Sequence, residues 1–202
     1  MLVLAIDTAT PASALALAGP GFEGETRLPP GRHASEVILT SLAALLERGG
    51  ASLADVSRIA VLAGPGSFTG IRVGLATAWG LARSLRVPLE TVGSLEALAE
   101  TAREAGGSLV SAWLPAERGD VHAATFDLSE ARARREGEET LGPQSAAAAL
   151  PGRIASPGDS GESPALAAAR AVRRAPGPPA DVPRARYGRL SAAEEPRGLG
   201  RS

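Results

Sequence analysis

The chain of 202 residues contains no cysteine, no lysine and few aromatic residues. The absence of cysteine excludes a disulfide framework, a thiolate nucleophile and zinc sites built on thiolates. Arginine supplies all 21 Lys/Arg positions, which excludes a P-loop lysine and a Schiff-base lysine. Because only 3% of the residues are aromatic, platforms on which nucleic-acid bases could stack are scarce. Most redox, structural-metal and lysine-based chemistry is therefore ruled out.

Long apolar runs and a strong net charge are also missing. Asp, Arg, Gly or Pro interrupts every apolar stretch well before the ~20 residues that a membrane-spanning helix needs. The opening MLVLAIDTAT lacks the basic region and the cleavage site of a secretory signal peptide, so we expect a cytoplasmic protein. Residues 1–150 carry 12 arginines against 17 acidic residues, and residues 151–202 carry nine against five. The net charge of −1 provides no overall field that would steer nucleic acid.

The first half of the chain alternates between strand-length apolar runs and helical patterns, which predicts an α/β fold. Its first run, LVLAI, shows little alternation and is typical of a strand buried on both faces. We expect strands at Leu2–Ile6, Ala12–Ala18, Phe22–Leu28, Arg58–Ala63 and Val87–Val92, and helices at His33–Arg48, Thr69–Leu85 and from Ser94 to Gly106.

The second half repeats these signals more weakly, as a further pair of strands, a charged segment, a short strand and a helix. Eight of the 16 prolines follow Leu150, so we expect the last ~25 residues to pack little. The predicted organisation is a first subdomain over 1–107, a second over 108–190 and a flexible tail over 191–202. The expected elements are strands at Leu109–Leu114, Val121–Asp127 and near Ile154, a charged segment to Glu139, and a helix at Ser163–Arg174.

Two loops could hold a nucleotide phosphate. Asp7 ends the first buried strand, at the edge where open α/β sheets place functional groups, and Thr8 follows it. Gly64 and Gly66 lie in the run GPGSFTG between a strand and a helix, where backbone N–H groups can bind an anion. The alternatives are a loop-capping aspartate and a tight turn, and the methyl group of Ala9 argues against phosphate.

Few residues could carry catalysis by this chain alone. His33 and His122 lack the spacing of metal ligands on a helix, and we interpret His33 as a helix-entry or interface residue. Ser67 lacks the GxSxG pattern of a hydrolase nucleophile. Arg72 could bind a phosphate or a carboxylate, and an intramolecular ion pair is the alternative. We predict no catalytic residue and no metal site.

The predicted helix from Thr69 to Leu85 is a candidate partner surface. Trp79 and Arg83 lie near Ala76 at helical spacing, and an exposed tryptophan beside arginine is typical of protein interfaces. The missing side chains of Gly70, Gly74 and Gly80 would let another helix or strand approach closely. The alternative is that Trp79 belongs to the internal core.

The string GPGSFTGIRVG is far more specific than its parts. Together with the opening LAIDTAT, the segment His33–Glu36 and the segment Val92–Leu98, it resembles the TsaB (YeaZ) family of glycoprotease-like, peptidase M22-related proteins. The resemblance is near-continuous up to Gly107 and thins beyond it. Pro115–His122 keeps the family's spacing without its Asp, Arg and Tyr, and Arg186–Arg189 is a degraded form of the closing Tyr-Leu-Arg.

The resemblance implies an actin-like ATPase (ribonuclease H-like) fold of two similar subdomains, with the second smaller and degenerate. It also implies a scaffold without activity of its own, which binds and activates TsaD for threonylcarbamoyl transfer to adenosine 37 of ANN-decoding tRNAs. TsaE would be the associated ATPase, tRNA would be bound only through the complex, and the chain alone would form a homodimer. ATP or ADP could lie at the heterodimer interface. The candidate interface residues are His33, Glu36, Val37, Gly70, Arg72, Gly74, Trp79 and Arg83.

Two other interpretations stay open at this point. An ATP-dependent kinase or a glycoprotease-like hydrolase on the same fold would turn over ATP or cleave peptide alone. A second half that has diverged around Pro115–His122 could also have lost TsaD binding.

Overall fold

The computed structural model describes residues 1–31, 33–156 and 161–186, except the side chain of Ala105. These residues form two sheets and five helices of at least five residues. The strands of the first sheet are β1 Leu2–Asp7, β2 Ala14–Gly19, β3 Phe22–Arg27, β4 Val56–Leu62 and β5 Leu89–Val92. Those of the second are β6 Leu109–Pro115, β7 Asp120–Asp127, β8 Arg134–Pro143 and β9 Arg153–Ala155. The helices are α1 Ala34–Arg48, α2 Phe68–Leu85, α3 Ser94–Glu100, α4 Gln144–Ala148 and α5 Pro164–Arg174.

The first sheet has the strand order β3-β2-β1-β4-β5. An antiparallel meander of β1, β2 and β3 is extended by the parallel strands β4 and β5. Helices α1, α2 and α5 pack on this sheet, and consecutive residues of β1 are fully buried, so helices cover both of its faces. The sequence of β1 is an unbroken apolar run because the strand is buried on both faces.

The second sheet repeats the first without its last strand. Its order is β8-β7-β6-β9, with β6, β7 and β8 antiparallel and β9 parallel to β6. This is the pattern of β3, β2, β1 and β4, and no counterpart of β5 occurs among the described residues. The repeat confirms the predicted actin-like α/β fold of two similar halves, of which the second is smaller.

One helix from each half of the chain packs on the sheet of the other half. Helix α5 packs into the apolar core of the first sheet, here called the first core. Helix α3 contributes Leu95, Leu98 and Ala99 to the core of the second sheet, here called the second core. The predicted boundaries at residues 107 and 190 stay predictions, and the predicted tail over 191–202 lies outside the described residues.

Two sequence predictions beyond Ser94 are wrong. The third helix ends at Glu100 instead of Gly106, because the Thr101 hydroxyl bonds back to the carbonyl of Leu98 at 2.7 Å and a 3-10 turn follows. The charged segment up to Glu139 lies largely in strand β8, whose sequence RREGEETLGP has no apolar alternation. Pairing with β7 supplies its backbone hydrogen bonds, while its charged side chains face solvent at the sheet edge.

The segment 177–186 also differs from expectation, since it packs along the open edge of β5. The N–H of Ala180 donates to the carbonyl of Leu89 at 2.7 Å, and the N–H of Arg186 donates to the carbonyl of Ala63 at 2.6 Å. These long-range backbone hydrogen bonds hold a proline-rich segment that lacks apolar periodicity. No helix of the described residues is both long enough and apolar enough to cross a membrane.

Candidate functional site

A cleft of about 390 Å³ opens at the carboxyl end of β1. It lies between the β1–β2 loop, the start of α1, the loop before α2 and the end of β6, so it faces both halves of the fold. The structure brings together two predicted nucleotide residues, Thr8 and Gly66, and two predicted interface residues, His33 and Gly70, in its lining.

Asp7 lies beneath this cleft and caps the β1–β2 loop. Its side chain is fully buried, and its Oδ1 atom accepts the N–H groups of Ala9 and Thr10, both at 2.9 Å. The Thr10 hydroxyl donates to the other carboxylate oxygen. Burial raises the pKa of Asp7, and these three hydrogen bonds oppose the rise. All three of these hydrogen bonds therefore lie within the β1–β2 loop.

Thr8 joins the β1–β2 loop to helix α2. Its hydroxyl donates to the carbonyl of Gly70 at 2.6 Å. A Cβ atom added at Gly70 would collide with the Thr8 carbonyl oxygen, and one at Gly74 would lie 2.5 Å from the Thr8 hydroxyl. The two glycines therefore admit the chain's own loop, and their predicted role at a partner interface stays a prediction.

The loop before α2 is hydrogen-bonded to the β1–β2 loop. The N–H of Ser67 donates to the carbonyl of Ala9 at 2.8 Å, and the absent side chain of Gly66, at φ +154°, lets that carbonyl approach. Ser67 caps α2, because its hydroxyl accepts the N–H of Gly70 at 3.2 Å. Two backbone donors of this loop, the N–H groups of Ser67 and Gly70, are thus occupied within the chain.

Gly64 lies apart from the cleft. Its φ of +106° favours glycine, and a side chain there would run into the carbonyl of Arg186. Its own carbonyl accepts the N–H of Ser94 at 2.8 Å. Gly64 lines a second cavity of about 430 Å³, which Glu96 and Arg186 also line. The predicted set Asp7, Thr8, Gly64 and Gly66 is therefore divided between a buried cap and two cavities.

Helix α2 presents an exposed stripe, formed by Arg72, Ala76, Trp79 and Arg83 at helical spacing. Trp79 is 44% exposed, and its indole Nε1–H donates to the carbonyl of Asp181 at 3.3 Å. The guanidinium group of Arg72 lies 3.7 Å from the ring centroid of Phe68. The tryptophan is thus a surface residue with a fixed orientation, and the alternative that placed it in the core is wrong.

The three predicted interface residues at the start of α1 differ in their exposure. His33 occupies the N-cap position and Glu36 the first turn, and both are exposed. Val37 is only 7% exposed and belongs to the first core. Its side chain is therefore used mainly in the core, and its predicted place at a partner interface stays a prediction. Leu39 on the same helix is 62% exposed.

The other histidine, His122, lies on β7 and is mostly buried. Its Nδ1 atom is 3.2 Å from a carboxylate oxygen of Glu139 but without hydrogen-bond geometry. In the part of the chain that the structure describes, no three His, Asp or Glu side chains are grouped so that they could hold a metal ion.

Sequence reasoning missed a set of buried charges. Glu90 on β5 and Glu100 at the end of α3 are 3% and 5% exposed, and both are paired with arginine. The signal that could have found them is a glutamate inside an otherwise apolar strand or helix, which is buried only with a partner.

Comparisons with known proteins identify the family. The sequence profile described as "TsaD: tRNA N6-adenosine threonylcarbamoyltransferase" matches residues 30–151. The tRNA threonylcarbamoyladenosine biosynthesis protein TsaB of Escherichia coli is 38% identical over 132 residues, which are 64% of this chain and 57% of that protein. An uncharacterized protein of Mycobacterium tuberculosis is 32% identical over 86% of this chain and 74% of its own length.

A solved structure has the same fold. YeaZ from Pseudomonas aeruginosa matches with a TM-score of 0.64 at 32% identity, over 70% of this chain and 66% of that one. The chain spans 57% of the E. coli TsaB and 31% of a Bacillus subtilis TsaB. The shared sequence, the shared structure and the matched profile agree, and the chain belongs to the TsaB (YeaZ) family of glycoprotease-like proteins.

Proposed function

We propose that this protein is a scaffold subunit in the synthesis of threonylcarbamoyladenosine in tRNA, without catalytic activity of its own. The names of its E. coli and B. subtilis relatives place those proteins in this pathway. In this proposal the chain binds a TsaD-type transferase and activates it for threonylcarbamoyl transfer to adenosine 37 of ANN-decoding tRNAs. TsaE joins the complex, and tRNA is contacted only through it.

The hydrogen bond between Ser67 and Ala9 carries the non-catalytic part of the proposal. It joins the two loops that would have to separate to admit a phosphate. The Asp7 carboxylate, which could have held a metal-bound nucleotide, is buried and fully hydrogen-bonded within its loop. Any ATP or ADP in the complex would then be held together with the partner at the interface.

The exposed stripe of α2 supports the binding part. Trp79 offers a large, oriented apolar surface, and Arg83 on the same stripe makes no ion pair with any described residue. A tryptophan flanked by arginine is the composition that dominates binding energy at protein interfaces. In the absence of the transferase, a second copy of the chain would cover this surface, which gives a homodimer.

The test mixes the purified chain with the TsaD of its own organism and measures mass by size-exclusion chromatography with light scattering, with and without ATP. We expect a one-to-one complex that replaces the homodimer. Ala76→Arg inserts a bulky charge into the stripe and should weaken binding at least tenfold, or about 1.4 kcal/mol.

The matched control is Ala146→Arg, an exposed alanine on helix α4 of the second half, which should bind normally. If both proteins elute unchanged, the scaffold proposal loses its basis. ATP hydrolysis or peptide cleavage by the chain alone would instead support the kinase or glycoprotease-like alternative.

A further inference from the structure

The loop that joins β7 to β8, residues 128–133, is held by polar groups from outside its own hairpin. The guanidinium group of Arg103 donates to the carbonyls of Leu128 and Glu130 at 2.6 and 2.9 Å. Arg174, the last residue of α5, donates through Nε to the carbonyl of Ala131 at 2.5 Å. The loop therefore has few free conformations, although it lies at the edge of the second sheet.

Arg132, at the end of this loop, crosses to the first core. One of its amino groups contacts the carboxylate of Glu90 on β5, and the other lies 2.6 Å from Glu96 on α3. The second oxygen of Glu90 accepts Nη1 of Arg58 at 3.2 Å and the N–H of Gly177 at 2.9 Å. Glu90 thus joins β4, the segment after α5 and the β7–β8 loop at one buried carboxylate.

A reciprocal contact runs in the opposite direction. Arg174 belongs to helix α5 of the first core, and its Nη2 atom lies 2.7 Å from Glu100 on helix α3. The other oxygen of Glu100 accepts the N–H of Ala133, next to Arg132, at 2.6 Å. Both ion pairs therefore link the two sheets. Arg132 beside the second sheet binds a buried glutamate of the first sheet, and Arg174, whose helix packs on the first sheet, binds a buried glutamate whose helix packs on the second.

The apolar contact between the halves is built from small side chains. Helices α3 and α5 pack against each other, and five of the eight buried residues of α5 are alanines. Alanine side chains bury little apolar area, so they contribute a correspondingly small hydrophobic term to the contact. Glu90 is also paired with Arg58 on the neighbouring strand, and Glu100 is also paired with Arg103 three residues further on. The additional charge-assisted hydrogen bonds from Arg132 and Arg174 form only in the arrangement that brings the two sheets together, so they favour that arrangement.

We infer that Arg132–Glu90 and Arg174–Glu100 form an electrostatic latch that locks the two sheets into one rigid body. Rocking of one half against the other, the motion that would open or close the cleft between the sheets, requires the latch to break. The inference goes beyond the proposed function, because it concerns internal motion and holds with or without a partner.

The absence of cysteine allows a direct test in the full chain. Leu39→Cys on α1 and Ala146→Cys on α4 place two exposed spin labels on opposite halves, and pulsed electron paramagnetic resonance gives their distance distribution. We expect one narrow distribution for the labelled parent. Arg132→Ala should broaden the distribution at least twofold or add a second distance.

Arg134→Ala is the matched control, because this arginine contacts only Asp127, Glu130 and Glu136 of the same hairpin among the described residues. It should leave the distribution unchanged. Circular dichroism establishes that each variant is folded. If Arg132→Ala does not fold, Arg132→Lys is measured in its place. It should also broaden the distance distribution, since a single ammonium group cannot bind both Glu90 and Glu96.

A folded Arg132 variant with the parental distribution would overturn the latch and assign the rigidity to packing between α3 and α5. Broadening in the Arg134 control as well would also overturn it, because loss of any charge from the hairpin would then suffice.

Discussion

The N–H of Ser67 donates a 2.8 Å hydrogen bond to the carbonyl of Ala9, which joins the loop before α2 to the loop after β1. Both loops lie at the carboxyl ends of parallel strands, the edge at which open α/β sheets bind ligands. Here the chain's own backbone joins the two loops beside the cleft. This hydrogen bond fixes the start of helix α2, which carries the exposed stripe.

The close contact between α2 and the β1–β2 loop should make the glycines of α2 differ in their tolerance of a side chain. Gly70→Ala places a Cβ atom against the carbonyl of Thr8 and should lower the free energy of unfolding by about 1–3 kcal/mol. Gly80→Ala points into open space and should raise it by about 0.5–1 kcal/mol. Urea unfolding of the two variants checks this, and equal effects would contradict the assigned contact.

Burial of Asp7 should make stability depend on pH. Its pKa is raised above 3.8 in the folded protein, so the stability contribution of this group is present below pH 3.8 and is lost as pH rises through the folded value. Asp7→Asn keeps the acceptor oxygen and removes the charge. The wild type should therefore lose stability relative to Asp7→Asn between pH 4 and pH 7, by up to about 1.4 kcal/mol per pH unit. Urea unfolding of both proteins at pH 4 and pH 7 measures the difference in their free energies of unfolding. A difference that does not change with pH would contradict the prediction.

Trp79 should report partner binding directly. The chain has two tryptophans, and Trp113→Phe leaves Trp79 as the only indole. If the transferase covers the α2 stripe, emission from Trp79 should shift to shorter wavelength on mixing, because the exposed ring moves out of water. The reverse variant, Trp79→Phe, retains the partly buried Trp113 on the second half and should show no shift. A shift in the reverse variant alone would place the interface on the second sheet.

Local patterns in the sequence predicted most of the first half. The apolar run of β1, the helical spacing of α1 and the strand before GPGSFTG each encode burial through their own side chains. The short turn at residues 52–55 is equally local, because the N–H of Ser52 donates to the carboxylate of Asp55, three residues on, at 2.8 Å. Such features depend on residues a few positions apart, which is why a single sequence reveals them.

The tertiary structure decided what depends on distant residues. Strand β8 exists because β7 offers it a hydrogen-bonding edge, and the segment 177–186 is held by the carbonyls of Leu89 on β5 and Ala63 after β4. Glu90 is buried because Arg58, Arg132 and Gly177, which are 32, 42 and 87 positions away, converge on it.

The glycines of α2 show the same division. Their missing side chains predicted a close approach, which occurs at Gly70 and Gly74 but not at Gly80, where the space is open. Only the fold decided that the approaching backbone is the chain's own β1–β2 loop, because the parallel pairing of β1 with β4 brings residues 8 and 70 to the same sheet edge. A missing side chain specifies that space is needed, and the tertiary structure specifies what fills it.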